Sequence, residues 1–347
     1  MGLLAGTATV MNERKAVRFA PYRSLRIAVA SGKGGTGKTT VATSLALSLA
    51  ADRTQTLPAP DPPLFLDCDV EAPNAHLFLK PTFERRQEVG LMIPRVDEIA
   101  CTHCGKCAEV CQYHAIAVLG KKVLVFPQLC HGCGSCTLIC PEHAISEVSD
   151  VMGVLESGTA DRGIHFARGV MNVGEPMATP IIRQLKKWAA PKPDQIVILD
   201  ASPGTSCPVV ESVRGADFLL LVTEPTPFGL HDLRLAVQVG RELSIPTGVV
   251  VNRDGIGDSG VDEFCETEGL PILMRIPFDR AIAEGIAQGQ PLVDIHPEYR
   301  VQFQEMLMRI AKGISGSAEQ IISDESIPLF EATVLDVKRR LTPREIL

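Results

Sequence analysis

A chain of 347 residues, 45% apolar and 22% charged, is long enough for one large domain plus a small one and too apolar for wholesale disorder. Its 34 basic and 41 acidic side chains give a formal charge of −7, which offers no basic footprint for a nucleic-acid partner. No apolar run reaches the roughly 18 residues that a spanning helix needs, so no integral membrane segment is expected.

Residues 1–23 read as a weakly structured tail. Met1 to Met11 is mildly apolar, but Arg14, Lys15, Arg18 and Arg23 follow it, the reverse of a secretory signal, and Gly6 breaks the myristoylation pattern. Leu25–Ala30 reads as a buried strand, a glycine-rich turn comes next, and Lys38–Ala51 has helical apolar spacing. Four prolines make Thr56–Pro63 a loop, after which Leu64–Asp67 resumes as a second strand. Between about Ile93 and Val148 cysteines dominate and the strand–helix alternation stops.

Glycine-broken alternation over 153–174 predicts a hairpin, and a helix after Thr179 leads to the strand Ile196–Asp200. Strands Phe218–Val222, Gly248–Val251 and Ile272–Ile276 then alternate with helices Leu230–Leu243 and Tyr299–Ile314. Near-continuous apolar strands separated by helices predict an α/β fold, a doubly wound, mostly parallel sheet covered on both faces. The expected organisation is a nucleotide-binding domain at 24–92 and 149–317, a small α+β insert at 93–148, and tails at 1–23 and 318–347.

Gly32-Lys33-Gly34-Gly35-Thr36-Gly37-Lys38-Thr39 matches G-x-x-x-x-G-K-[ST] between a predicted strand and a predicted helix. The glycines let successive N–H groups face an anion, and the helix opening at Lys38, Thr39 and Thr40 adds its positive end. Lys38 would bring charge to the β/γ-phosphates, and Thr39 a hydroxyl to Mg²⁺. Two further strands end in acids at the carboxyl edge of the sheet: Asp67-Cys68-Asp69 and Asp200-Ala-Ser-Pro-Gly204. Asp67 and Asp200 are the expected carboxylates of the Mg²⁺ shell, and ATP or GTP the expected ligand.

Eight of the eleven cysteines lie between Cys101 and Cys140. Cys101-x2-Cys104-x2-Cys107-x3-Cys111 recurs 29 positions later as Cys130-x2-Cys133-x2-Cys136-x3-Cys140-Pro141, and His114-Ala115-Ile116 recurs as His143-Ala144-Ile145. Such duplicated runs bind two [4Fe–4S] clusters, the fourth cysteine of each run serving the other cluster. Cys101, Cys104, Cys107 and Cys140 are therefore assigned to one cluster, and Cys111, Cys130, Cys133 and Cys136 to the second. Gly105, Gly132 and Gly134 permit the tight curl. Zinc is the competing ligand, but its modules place two C-x2-C pairs around a longer loop. Metal-ligand spacing in place of a disulfide framework predicts a reducing, cytoplasmic setting. His114 and His143 are expected to cap or pack the next turn. Among the remaining cysteines, Cys68 and Cys265 carry no assigned role, and Cys207, beside the Pro203-Gly204 bend, is a candidate for redox sensitivity.

With Lys33 one residue into the loop, Lys33-Gly34-Gly35-Thr36-Gly37-Lys38-Thr39 resembles the deviant Walker A sequence of the MinD/Mrp/ParA superfamily. Asp67-x-Asp69, Asp200-x-x-Pro-Gly204, Val251-Asn252-Arg253 and Ile276-Pro277-Phe278-Asp279 match its motifs in order, and with the cysteine block the likeness covers about residues 25–315. The resemblance is to MinD-type ATPases with an inserted ferredoxin domain. It implies a homodimer sandwiching ATP, with Lys33 reaching the partner's phosphates and Asp69 positioning the attacking water. Asn252 and Pro277 to Asp279 would hold adenine.

Three functions follow as expectations. The first couples ATP hydrolysis at a dimer to electron transfer through the clusters toward a redox partner. The second is an iron–sulfur assembly or carrier ATPase that serves an apo-acceptor, although the C-x-x-C pair of Mrp-like carriers does not occur after residue 140. The third is a positioning switch with redox-sensing clusters. The basic segment Val334–Leu341 spans about two turns before Pro343, too short for firm membrane binding, and is expected to be a docked or flexible tail.

Overall fold

The computed structural model describes residues 24–50 and 61–323. The expected N-terminal tail, most of the proline loop and the Val334–Leu341 segment lie outside them. The strands are β1 (Arg26–Ala30), β2 (Leu64–Asp67), β3 (Thr82–Val96), β4 (Ile116–Leu119), β5 (Lys122–Val125), β6 (Ile145–Thr159), β7 (His165–Met171), β8 (Val197–Asp200), β9 (Phe218–Thr223), β10 (Thr247–Asp254) and β11 (Ile272–Pro277). Nine of them form one sheet in the order β11-β10-β9-β1-β8-β2-β7-β6-β3, while β4 and β5 make a separate hairpin.

From β11 to β7 every pairing is parallel, as buried apolar strands joined by helices require. Successive residues of β1 face opposite cores: Ile27 and Val29 pack with Val41, Leu45 and Phe303, whereas Ala28 and Ala30 pack with Ile181, Val209 and Leu233. Helices Lys38–Leu49 and Tyr299–Ser323 thus cover one face, and Thr179–Trp188, Cys207–Val213 and Pro227–Glu242 the other. This mostly parallel α/β sheet is the one expected. The parallel strands deliver Ala30, Asp67, Asp200 and Thr223 to a common carboxyl edge, where the phosphate loop also lies.

At the other end the topology changes. β6 returns antiparallel to β7, matching the expected hairpin, and β3 closes the sheet antiparallel to β6 over fourteen paired positions from Thr82/Thr159 to Val96/Ile145. β3 was not anticipated. It is an edge strand whose first seven residues, Thr-Phe-Glu-Arg-Arg-Gln-Glu, are all exposed, and charges there discourage edge-to-edge pairing. The positions 93 and 148, expected to bound the insert, fall inside β3 and β6, so both strands run from the main sheet into the cysteine region without a linker.

Candidate functional site

The phosphate loop occupies residues 31–37 between β1 and the helix Lys38–Leu49. Gly37 (φ 91°) turns the chain into that helix in the left-handed region, and a Cβ there would lie 2.3 Å from Asn252 Nδ2. Asn252 Nδ2 donates to the Thr36 carbonyl at 2.7 Å, tying β10 to the loop. Lys38, 6% exposed, donates to Asp200 Oδ1 at 2.5 Å, and its Nζ lies 3.4 Å from Thr39 Oγ1. Burial alone would pull the Lys38 ammonium down, but the carboxylate of Asp200, with Asp69 and Asp67 beyond it, holds it above its usual value.

Asp67 and Asp200 are both fully buried. Asp67 accepts from the Asp69 amide at 3.2 Å and the Ala75 amide at 3.1 Å, yet burial and the nearby Asp200 push its carboxyl well up. Burial likewise raises half-buried Asp69 to about 6, although Lys38 opposes the shift. Among the described residues Asp200 Oδ2 finds no hydrogen-bond partner, and neither does Thr36 Oγ1. Three acids around one lysine, with an orphaned carboxylate oxygen, make a pocket that a divalent cation would complete.

That arrangement fixes a pH dependence. A carboxyl whose folded pKa is raised costs nothing extra below its unfolded value near 4, and destabilises the fold as pH climbs through about 6. Mg²⁺ binds the ionised form, so it competes with protons. The stabilisation of the nucleotide-bound chain by Mg²⁺, read as a melting-temperature increment, is expected to grow from about pH 5.5 to about pH 7.5. Asp67→Asn should flatten that rise, since the Asp67 carboxyl is the Mg²⁺-shell acid pushed up to about 7; an increment equal at both pH values would contradict the assignment.

Lys33 points to its own chain. Its ammonium pairs with Glu224 Oε1, while Arg253 Nη1 takes Glu224 Oε2 at 2.9 Å and Arg253 Nη2 donates to the Gly35 carbonyl at 3.2 Å. Burial would raise the Glu224 carboxyl, but Lys33 and then Arg253 hold it below the usual carboxylate range. Glu224 was not singled out from sequence. It follows the apolar strand β9, and an acid ending a buried strand is the signal that marked Asp67 and Asp200.

The cleft beside the loop measures about 560 Å³, within the range of small-ligand sites. Gly34, Gly35, Gly37, Lys38, Thr39, Thr40 and Asp69 are among the residues that line it. Asn252, Pro277 and Asp279 also line it, together with Phe78, Phe278, Ile282 and Ile286. Gly32, Lys33, Thr36, Asp67 and Asp200 stand outside the lining. The Asp279 carboxylate accepts from the Ala281 amide at 2.6 Å and caps the helix Arg280–Ala287. Phe78, Ile282 and Ile286 escaped the sequence reading because residues distant in sequence assemble that apolar wall.

Each cysteine quartet encloses its own cavity. Cys101, Cys104, Cys107 and Cys140 line one, and Cys111, Cys130, Cys133 and Cys136 line the other. The duplication holds at backbone level. His103 donates its N–H to Cys101 Sγ and Gly132 to Cys130 Sγ, both at 3.4 Å, while Ala115 and Ala144 donate to Cys111 and Cys140 at 3.3 and 3.4 Å. Gly105 (φ 84°) and Gly134 (φ 74°) begin the helices Lys106–Val110 and Ser135–Ile139. His114 and His143 occupy left-handed turns (φ 52° and 50°), a conformation histidine tolerates better than most side chains. Neither lines a cavity. Cys68 is fully buried, its thiol driven by burial to about 12, and Cys265 to about 11, so both are inert packing groups; Cys207 is exposed.

Among the described residues no helix is long and apolar enough to cross a membrane. An uncharacterized protein of Methanocaldococcus jannaschii is 31% identical over 76% of this chain and 90% of its own length. An iron-sulfur cluster carrier protein of Aquifex aeolicus is 30% identical over 37% of this chain and 38% of its own length. Among solved structures, the septum site-determining protein MinD with Mg-ADP from Pyrococcus horikoshii superposes with a TM-score of 0.49 at 19% identity, covering 85% of this chain and 98% of that one. Residues 27–292, a span running from β1 past the cysteine cavities to the far wall of the nucleotide cleft, match the CobQ/CobB/MinD/ParA nucleotide binding domain, and the chain belongs to that family.

Proposed function

We propose that this chain is a Mg²⁺-dependent, ATP-hydrolysing iron–sulfur protein in which nucleotide-dependent changes at a homodimer gate electron transfer through two [4Fe–4S] clusters. One observation carries the coupling. β3 and β6 line the second cysteine cavity with Pro94 and Glu147, then continue into the main sheet, where only β7 separates β6 from β2 and its buried Asp67. Asp67 is therefore joined through the β2–β7–β6–β3 hydrogen-bond ladders to the strands that wall that cavity.

The chain's own residues would divide the hydrolytic work. Lys38 leaves Asp200 in part to neutralise the phosphates, and the loop amides cradle them. Asp67 and Asp200 would hold Mg²⁺ through water, because no three acidic, histidine or cysteine side chains among the described residues converge on one ion, and Mg²⁺ keeps several waters. Thr39 supplies a direct hydroxyl. Asp69, half-buried and with its carboxyl raised by burial to about 6, would orient the attacking water. Lys33 must release Glu224 before it can reach a partner's phosphates. Lys33→Ala is accordingly expected to lower ATP turnover by about 10²–10³-fold with ATP affinity within a few-fold. Unchanged turnover and unchanged nucleotide-dependent dimerisation would remove its role.

The donor set fits [4Fe–4S] better than zinc. Four zinc thiolates converge on one point at about 2.3 Å, whereas each of these quartets surrounds a cavity and follows the C-x2-C-x2-C-x3-C spacing of [4Fe–4S] runs. Bound there, such clusters would supply one-electron chemistry. The carrier named among the relatives favours a second reading, in which clusters pass to an apo-acceptor. Incubation of the iron-loaded chain with an apo-ferredoxin separates the two. Clusters that stay bound, and whose bleaching by dithionite changes rate with ATP, support gating; clusters that appear on the acceptor upon ATP addition overturn it.

A further inference from the structure

We propose that Glu147 makes the two cysteine cages electrically unequal, holding a cluster in the Cys111, Cys130, Cys133, Cys136 quartet at a lower reduction potential than one in the other quartet. The proposal rests on the reading that both quartets hold [4Fe–4S] clusters.

The cages are repeats in backbone, helix, glycine and N–H···S pattern, so a difference between them must come from side chains. Each is walled by a pair of facing strand residues related to the pair at the other cage by the same 29-residue offset as the cysteines, and the first cage is walled by the facing pair Val96 and Ile145 as well. At the first cage the pair is Val118 and Val123, directly opposite each other in the β4–β5 hairpin. At the second it is Glu147 and Pro94, directly opposite each other across β6 and β3. Two valines at one cage thus become a carboxylate and a proline at the other.

The carboxylate is aimed at the cage. Glu147 lines the cavity, and its Oε1 lies 3.0 Å from the point where a Cβ on Gly134 would sit, within the turn between Cys133 and Cys136. No lysine or arginine lines that cavity to offset it, and each cavity carries one histidine, His131 here and His103 at the first. The first cavity is lined by Lys106 and Glu142, whose charges oppose each other; Glu109 approaches Gly105 but stands outside the wall. One-electron reduction adds negative charge to a cluster, and net local charge is one of the determinants of its potential. A nearby uncompensated carboxylate disfavours the reduced form, most strongly at low ionic strength because Glu147 is exposed.

The test uses the full chain, reconstituted anaerobically with iron and sulfide and titrated with dithionite under potential control. Two resolved reduction steps are expected at low salt, drawing together at high salt. Glu147→Gln, nearly isosteric, should move the lower step up toward the other at unchanged iron content. Val118→Glu should move the upper step down. A single step in the unaltered protein, or a Glu147→Gln protein with both steps in place, overturns the proposal; the Gln variant decides the matter if the Val118 variant misfolds. A chain that takes up no iron overturns the cluster reading itself, and the iron assay tells that failure apart.

Discussion

Lys38→Ala is expected to eliminate measurable nucleotide binding, a loss of at least about 100-fold, and to destabilise the fold at the same time. Among the described residues the ammonium is the only cation hydrogen-bonded to Asp200, and the pair is 7% and 0% exposed. Removing one member of a buried pair leaves an uncompensated charge, at a cost of about 3–5 kcal/mol. The two effects separate in the double variant Lys38→Ala, Asp200→Asn. Deleting the stranded charge should restore most of the stability, read by denaturant midpoint, without restoring ATP binding by calorimetry. If the double variant bound ATP, Lys38 would be a structural counter-ion and not a phosphate ligand.

The second large effect concerns which cysteines act together. Cys140→Ser should lower bound iron from about eight to about four per chain, since it opens one cage only. The pair Cys104→Ser, Cys140→Ser is the sharper case. Both residues line one cavity although they belong to different runs. With cross-run cages both changes damage one cluster and about four irons remain; if each run held its own cluster, both would be lost and iron would fall near zero.

The features legible in the sequence were those whose chemistry is local. The phosphate loop needs glycines at fixed offsets before a helix, and the cysteine runs need three ligands within one tight curl; both write their spacing directly into the chain. The long-range crossing of Cys111 and Cys140 was legible only because the duplication repeats a known pattern. Acids ending apolar strands marked Asp67 and Asp200, and the same rule applied to β9 would have found Glu224. β3 was invisible because an exposed edge strand shows neither apolar alternation nor a buried run: Glu84, Arg85, Arg86, Gln87 and Glu88 carry no strand signal. With β3 unseen, β6 could not be followed down to Ile145, and the insert looked separable at 93 and 148. Lys33 illustrates a different limit. Its place in the loop was plain, but its pairing with Glu224 depends on β9 lying beside β1, which no local pattern states.

The central claim is that one polypeptide holds a triphosphate site and two iron–sulfur cages on a shared sheet. The most direct measurement is joint: iron, acid-labile sulfide and Mg²⁺-ATP quantified on the same anaerobically reconstituted sample, by chemical assay and equilibrium dialysis. About eight irons, about eight sulfides and about one nucleotide per chain are predicted. A colourless, iron-free chain, or one that retains iron but no nucleotide with magnesium present, would contradict it.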